Sequence, residues 1–234
     1  EASFRSQIDI LRIIGRSDLA ARLADLERQL KELQAMPPPL VAVTDLISQG
    51  KLVKAEKLCK AFMQKNPRHI EGMRLLADIG VRLGVLEDAE FLLESAVEFS
   101  PQSTKARMDY IQVLRKQQKY NEALSHAKIL IQQDPKNPQF QSVFAVESMQ
   151  SGDYDTALAT FDSILEILPE EPVTLTSRGN ALKTQGNKEQ AIDSYRRAIK
   201  KHPAHGEAYY SLANLKLFSF TDKEIQAMES QEHN

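Results

Sequence analysis

The sequence predicts an all-α protein built as a right-handed superhelix of stacked helix pairs. Three observations predict it. Pro67, Pro101, Pro135, Pro169 and Pro203 each fall 34 residues after the one before, and a fixed period of that length marks a stacked repeat. Twelve residues before each proline stands an alanine: Ala55, Ala89, Ala123, Ala157 and Ala191. Five residues before each alanine comes a turn position, filled by Gly50, Gly84, Gln118, Gly152 and Gly186.

Each column has a physical role. Proline has no N–H and pushes the residue before it out of the helical region, so each one ends a helix and turns the chain into the next. Glycine suits the left-handed residue that closes a helix, and Gln118 is the exception. Alanine lets two helices approach closely. A second small column runs Ala77, Ala145, Gly179 and Ala213, with Val43 and Ile111 as exceptions. A bulkier one runs Cys59, Leu93, Ala127, Phe161 and Tyr195. Together they describe a helix of roughly 12 residues, a glycine turn, a second helix and a proline loop. One such pair cannot bury both of its faces, whereas stacked pairs form a continuous core.

Residues 1–36 precede the repeats and are expected to form an N-terminal helical cap. Phe4, Ile8 and Leu11 have helical spacing, and Ser17 followed by Asp18 suits a new helix start. Leu19, Leu23, Leu26, Leu30 and Leu33 then make a heptad-like stripe. The stripe has two readings, an amphipathic cap on the stack or a homodimer seam. Pro37-Pro38-Pro39 is expected to end that helix as a stiff hinge. Residues 37–217 hold five repeats and the first helix of a sixth. In residues 218–234, Thr221 and Glu224 have capping-box spacing, so a C-terminal capping helix through Ile225 and Met228 is expected, followed by a polar tail.

With that architecture in place the resemblance is plain: the chain resembles the tetratricopeptide repeat. The small column, the turn glycine, the alanine, the aromatics Phe161 and Tyr195 and the proline all match its pattern. Residues 177–203, SRGNALKTQGNKEQAIDSYRRAIKKHP, are the clearest copy. Arg178 departs from the pattern in a usually apolar column. A second resemblance lies at residues 206–228, GEAYYSLANLKLFSFTDKEIQAM. They look like the segment that joins repeats to the catalytic domain in bacterial tetratricopeptide-repeat sulfotransferases, and NALKTQG at 180–186 is similar to the preceding repeat there. That resemblance implies a longer bacterial parent using 3′-phosphoadenosine-5′-phosphosulfate, with a catalytic domain after Asn234. The start at Glu1 instead of a methionine fits a longer parent as well. Nothing in 1–234 matches that family's phosphosulfate loop, so this stretch is expected to be no enzyme and to hold no cofactor.

Composition narrows the partners. The chain has 234 residues, 26% of them charged, with a formal charge of −2. Nucleic acid needs a basic excess that is missing here, and no apolar run approaches the roughly 18 residues of a membrane helix. A lone cysteine, Cys59, fits a reducing, cytoplasmic setting and reads as a buried structural thiol. The five histidines are scattered. His202 and His205 are separated by Pro203 and joined by no carboxylate cluster, so no metal site is expected. Glu87-Asp88 and Glu170-Glu171 sit at turns or helix starts, where acids favour the helix dipole, so no catalytic pair is expected.

A protein or peptide partner remains. In the resembling family the first helix of each pair lines a concave groove. One groove column then runs Arg74, Met108, Ser142, Thr176 and Tyr210. The next runs Asp78, Gln112, Val146, Asn180 and Asn214, and a third Val81, Arg115, Met149, Lys183 and Leu217. Asn180 and Asn214 are the leading candidates, because an amide can pair with a peptide backbone in both directions. Stacked asparagines here resemble the ladder in O-linked N-acetylglucosamine transferases. Tyr210 would lie beside them, and Lys183 and Arg115 would add positive charge for an acidic segment. The lysine–asparagine clamp of repeat domains that grip chaperone tails is not matched: Thr176 and Tyr210 stand where its lysines would be. Light scattering separates the two readings of the leucine stripe. A chain starting at Pro37 halves in mass if the stripe is a dimer seam and keeps its oligomeric state if the stripe is a cap.

Overall fold

The structure is a computed structural model that describes residues 34–215 continuously. It also describes Glu27, Leu30 and Lys31 before them, and Thr221, Asp222, Ile225, Gln226, Met228 and Glu229 after them. Among the described residues there are helices and no strands. They are α1 (Pro38–Ser48), α2 (Leu52–Lys65), α3 (Ile70–Leu83), α4 (Leu86–Phe99), α5 (Thr104–Lys116), α6 (Tyr120–Gln133), α7 (Pro138–Gln150), α8 (Tyr154–Ile167), α9 (Pro172–Thr184), α10 (Lys188–Lys201) and α11 (Gly206–Ala213). Two compact units divide the chain between Ala106 and Arg107. In the first, α1 packs on α2 and α3, and α3 on α2 and α4. In the second, α7 packs on α6, α8 and α9, and α9 on α8, α10 and α11. This is the solenoid architecture that the period predicts.

The junctions repeat at atomic level. Gly50, Gly84, Gln118, Gly152 and Gly186 all have φ between 61° and 90°. After each, the next N–H donates to the carbonyl five residues back: Lys51 to Leu46, Val85 to Gly80, Lys119 to Leu114, Asp153 to Ser148 and Asn187 to Leu182, at 2.8–2.9 Å. These are Schellman bonds, so the tight turn is a backbone device. Gln118 makes it with a side chain, at a cost of roughly 1–2 kcal/mol for a left-handed residue bearing a Cβ. Asn66, Ser100, Asp134, Leu168 and His202, each before one of the five repeat prolines, sit at φ between −125° and −148°, as proline demands.

Two residues after Pro67, Pro101, Pro135 and Pro169 a side chain starts the next pair, whereas His205 after Pro203 makes no such bond. His69 Nδ1 accepts from the Gly72 N–H at 3.2 Å. Ser103 Oγ accepts from Ala106 at 3.3 Å, and Asn137 Oδ1 from Gln139 at 3.0 Å. Glu171 accepts from Val173 and Thr174. At Pro37-Pro38-Pro39 the structure differs from the expected hinge. Pro37 is the N-cap of α1 and Pro38 and Pro39 lie inside its first turn, where a missing N–H costs nothing. The leucine stripe apart from Leu30, Leu217, Glu224 of the capping box and the polar tail after Glu229 lie outside the described residues. Ile225 donates to the Thr221 carbonyl at 3.0 Å, one helical turn of the expected segment.

The core is organised by two positions sixteen residues apart in each pair. Val43 stands with Cys59, Ala77 with Leu93, Ile111 with Ala127, Ala145 with Phe161, and Gly179 with Tyr195. All ten are buried. Where the first is large the second is small, and the reverse, so the space is filled once in every repeat, as close packing requires. The limit is Gly179: a Cβ there would lie 2.5 Å from Tyr195 Cε1. Ala213, the last of the small column, is exposed. Arg178 keeps its charge at an apolar column by donating from Nε to Asp162 Oδ1 at 2.6 Å and from Nη1 to Ser194 Oγ at 2.9 Å.

Gly179→Ala should therefore lower unfolding stability by about 1–3 kcal/mol, the usual cost of overpacking. Because the two positions share one space, adding Tyr195→Leu should give a double variant less destabilised than the two single losses combined. Denaturant titration of the four proteins measures both.

Candidate functional site

In the second unit the first helices of the pairs, α5, α7, α9 and α11, turn one face to the core. Ile111, Ala145, Ala181 and Ala208 are buried there. Residues on the other face stay accessible. Met108 and Arg115 on α5, Ser142, Val146 and Met149 on α7, and Asn180 and Lys183 on α9 are half-buried, while Gln112 and Asn214 are exposed. Tyr210 on α11 is 70% exposed. Thr176, placed in a groove column by its spacing, is 1% exposed. Its hydroxyl donates to the Pro172 carbonyl at 2.8 Å and lies 3.0 Å from His205 Nε2, so it ties α9 to the entrance of α11 and lines no open surface.

Asn180 is held from below. The Tyr195 phenol donates to Asn180 Oδ1 at 2.8 Å. Tyr195 is fully buried, and burial pushes its pKa up to about 12, so the hydroxyl keeps the proton it donates. With Oδ1 turned to the core, Nδ2 is the end left to donate to a ligand. Asn214 is the residue that closes α11, and its N–H donates to the Tyr210 carbonyl at 3.0 Å.

Arg115 and Lys183 differ in setting. Arg115 Nε donates to Glu147 Oε1 at 2.7 Å, and its Nη2 contacts the same oxygen. Glu147 is completely buried, at the repeat position filled elsewhere by the buried Ile79, Val113, Ala181 and Leu215 and, in the first pair, by the exposed Asp45. Burial raises its carboxyl above the usual range and Arg115 pulls it back. Much of the Arg115 charge is thus spent on a core carboxylate. Lys183 has no ion-pair partner among the described residues. Glu147 escaped the sequence reading, although a signal was available: from the second pair onward it is the one acid in an apolar repeat column.

A second buried polar cluster packs α5 on α6. Arg107, 5% exposed, places Nη1 2.9 Å from His126 Nδ1, and the Tyr110 ring meets the His126 ring edge-on at 4.8 Å. Burial and then the Arg107 charge hold His126 below its ordinary pKa, with Glu122 opposing them. The imidazole is therefore neutral and accepts from the guanidinium. Cys59 is buried, its thiol donates to the Gly72 carbonyl at 3.4 Å, and burial lifts its pKa to about 11, far from thiolate reactivity. Glu171 caps α9 and Glu170 pairs with Lys201 at 2.8 Å. Among the described residues no group of three or more His, Cys, Asp or Glu could hold a metal ion. No described helix is long and apolar enough to cross a membrane.

Comparison with known proteins adds the relatives. A family model described as the cytochrome c-type biogenesis protein H TPR domain matches residues 58–174, half of the chain. A second, described as tetratricopeptide repeat, matches residues 176–215. The chain is 30% identical over 120 residues to human tetratricopeptide repeat protein 6, covering 51% of this chain and 23% of that one. It is 26% identical over 110 residues to cytochrome c-type biogenesis protein CcmH of Escherichia coli K12, covering 46% and 31%. The chain thus spans less than half the length of these relatives. Among solved structures, YrrB, described as a TPR protein with an unusual peptide-binding site, superposes with a TM-score of 0.60 at 17% identity, over 79% of this chain and 96% of that one. A thermophilic TPR protein of Thermus thermophilus superposes with a TM-score of 0.62 at 19% identity, over 77% and 98%. Likeness at these identities shows the fold.

The His126 cluster makes stability depend on pH. Its pKa is lower folded than unfolded, so the unfolded chain binds the proton first. Its contribution is complete above the ordinary histidine value of about 6.5 and is lost as pH falls below it. The thermal midpoint should drop between about pH 7 and pH 5, and His126→Gln should flatten that dependence. Melting curves of both proteins across this range measure it.

Proposed function

Since the chain belongs to the tetratricopeptide repeat family, we propose that it is a protein-interaction scaffold whose second unit holds an extended peptide segment of a partner along α5, α7, α9 and α11. The observation that carries this reading is the Tyr195–Asn180 hydrogen bond of 2.8 Å. An amide anchored from the core loses little freedom when it binds, and rigid donors give more affinity than floppy ones. Asn180 donates to a carbonyl of the guest backbone, and Asn214 supplies a second amide on α11. The exposed Tyr210 ring covers the guest's apolar side chains, with Val146 and Met149 as the apolar floor. Lys183 carries the positive charge for an acidic residue, and Arg115 adds to it only as far as Glu147 leaves its donors free. Backbone-directed amides hold a chain without reading its sequence, so the side-chain contacts set the preference.

A second reading rests on residues 206–228, which resemble the joining segment of tetratricopeptide-repeat sulfotransferases. In it the same groove selects acceptor peptides or proteins for a catalytic domain. Both readings place the chemistry of recognition on the same residues, and a cytoplasmic setting belongs to both.

Peptides selected by display on the full chain, then titrated by calorimetry, test the groove. Replacing Asn180 and Asn214 together by alanine should weaken a groove-bound peptide by about 1–3 kcal/mol with helix content unchanged. Equal affinity on an intact fold would remove the groove assignment.

A further inference from the structure

The repeats provide their own internal comparison, and the second pair of the first unit departs from it at three places. Where the others carry Gln49, Gln117, Ser151 and Gln185, this pair has Leu83. Where they carry Lys51, Lys119, Asp153 and Asn187, it has Val85. Where they carry Lys57, Ser125, Ala159 and Asp193, it has Phe91. All three are exposed, Phe91 by 68%. A single exposed apolar side chain is ordinary. These three line one cavity of about 250 Å3, closed below by Leu76, Ile79 and Leu92. An apolar patch gathered around one cavity marks an interaction site.

The charge is one-sided on α4, whereas α2, which supplies Glu56 and Lys60 to the wall, carries Lys54, Lys57, Lys60 and Lys65. Helix α4 contains Glu87, Asp88, Glu90, Glu94 and Glu98 and no basic residue. Glu87, Asp88 and Glu94 stand four and three residues before Phe91 and three after it, which places them beside its ring on the helix surface. The one cation on the cavity wall, Lys60, is paired with Glu56 at 2.6 Å and is also attracted by Asp88, so Glu87 and Glu94 are the acids that meet no cation of the wall. Helix-dipole compensation accounts for Glu87 and Asp88 in the first turn. It accounts for neither the apolar residues nor Glu94.

We propose that this cavity is a docking site for a partner protein's basic segment, which inserts one bulky apolar side chain between Leu83, Val85 and Phe91 and sets flanking Lys or Arg against Glu87, Asp88 and Glu94. The volume suits a side-chain anchor better than a small-molecule ligand, whose sites run to about 300–1,000 Å3. Buried anchors of this kind dominate interface energetics. The site uses the second helices α2 and α4 with the end of α3, so it is separate from the first-helix groove described above.

The test uses the full chain. Random twelve-residue displayed peptides are selected on it after depletion on the Phe91→Ser variant, a surface change expected to leave the fold intact by circular dichroism. Clones that survive depletion should carry an apolar residue flanked by Lys or Arg. As synthetic peptides they should lose about tenfold or more in affinity on Leu83→Ser or Phe91→Ser. They should weaken steeply with salt and be unaffected by alanine at Asn180 and Asn214. The proposal is overturned if no clone distinguishes the chain from Phe91→Ser, or if the distinguishing clones are neutral or acidic. A dimer in sedimentation that Phe91→Ser dissociates, without any distinguishing peptide, overturns it in favour of self-association.

Discussion

A short helix pair has two apolar faces and only one partner inside the pair. Everything in this molecule depends on how the second face is covered. The answer is a neighbouring pair, brought up by the same two junctions each time. The left-handed residue and its Schellman bond fold each pair, and the extended residue before each proline aims the next one. Because these are backbone devices, the side chains inside can vary as long as their combined volume does not. The alternation from Val43 with Cys59 to Gly179 with Tyr195 is that freedom in use: the largest ring faces the residue with no side chain at all.

The same close packing couples the core to the surface. Tyr195 fills the space left by Gly179, and its hydroxyl reaches the face of α9 to hold Asn180. A core position therefore sets the rotamer of a candidate ligand residue. Glu147 does something similar for Arg115. An acid at an apolar column is costly to bury unless a cation meets it, and Arg115 meets it from the groove side. The result is an arginine more rigid and less charged toward a ligand than one on an open helix.

The two units carry different surfaces. The accessible first-helix positions of the second unit mix amides, an aromatic ring and a lysine, a suitable lining for polypeptide backbone. The first unit carries its unusual residues at the junction of α3 with α4 and on α4, where an apolar cavity meets an acidic helix. Repeat proteins permit this, because each pair contacts only its neighbours and a local change need not disturb the stack.

The sequence by itself determined the period, the helix pairs, the turn residues and the buried columns. Each of these depends on a residue and its near neighbours: a proline acts on the residue before it, a glycine on its own φ, and an apolar column on helical spacing. Even Gln118, which breaks the glycine pattern, adopts the left-handed turn, because the helices on either side of it demand the same junction. Only the tertiary structure decided which polar groups meet. Tyr195 with Asn180, Arg115 with Glu147, Arg107 with His126 and Thr176 with His205 join residues 15 to 32 positions apart. Spacing placed Thr176 on an open face and gave Arg115 a free charge. The direction in which a side chain leaves its helix, and what the next helix offers there, placed the first in the interior and paired the second with a buried acid.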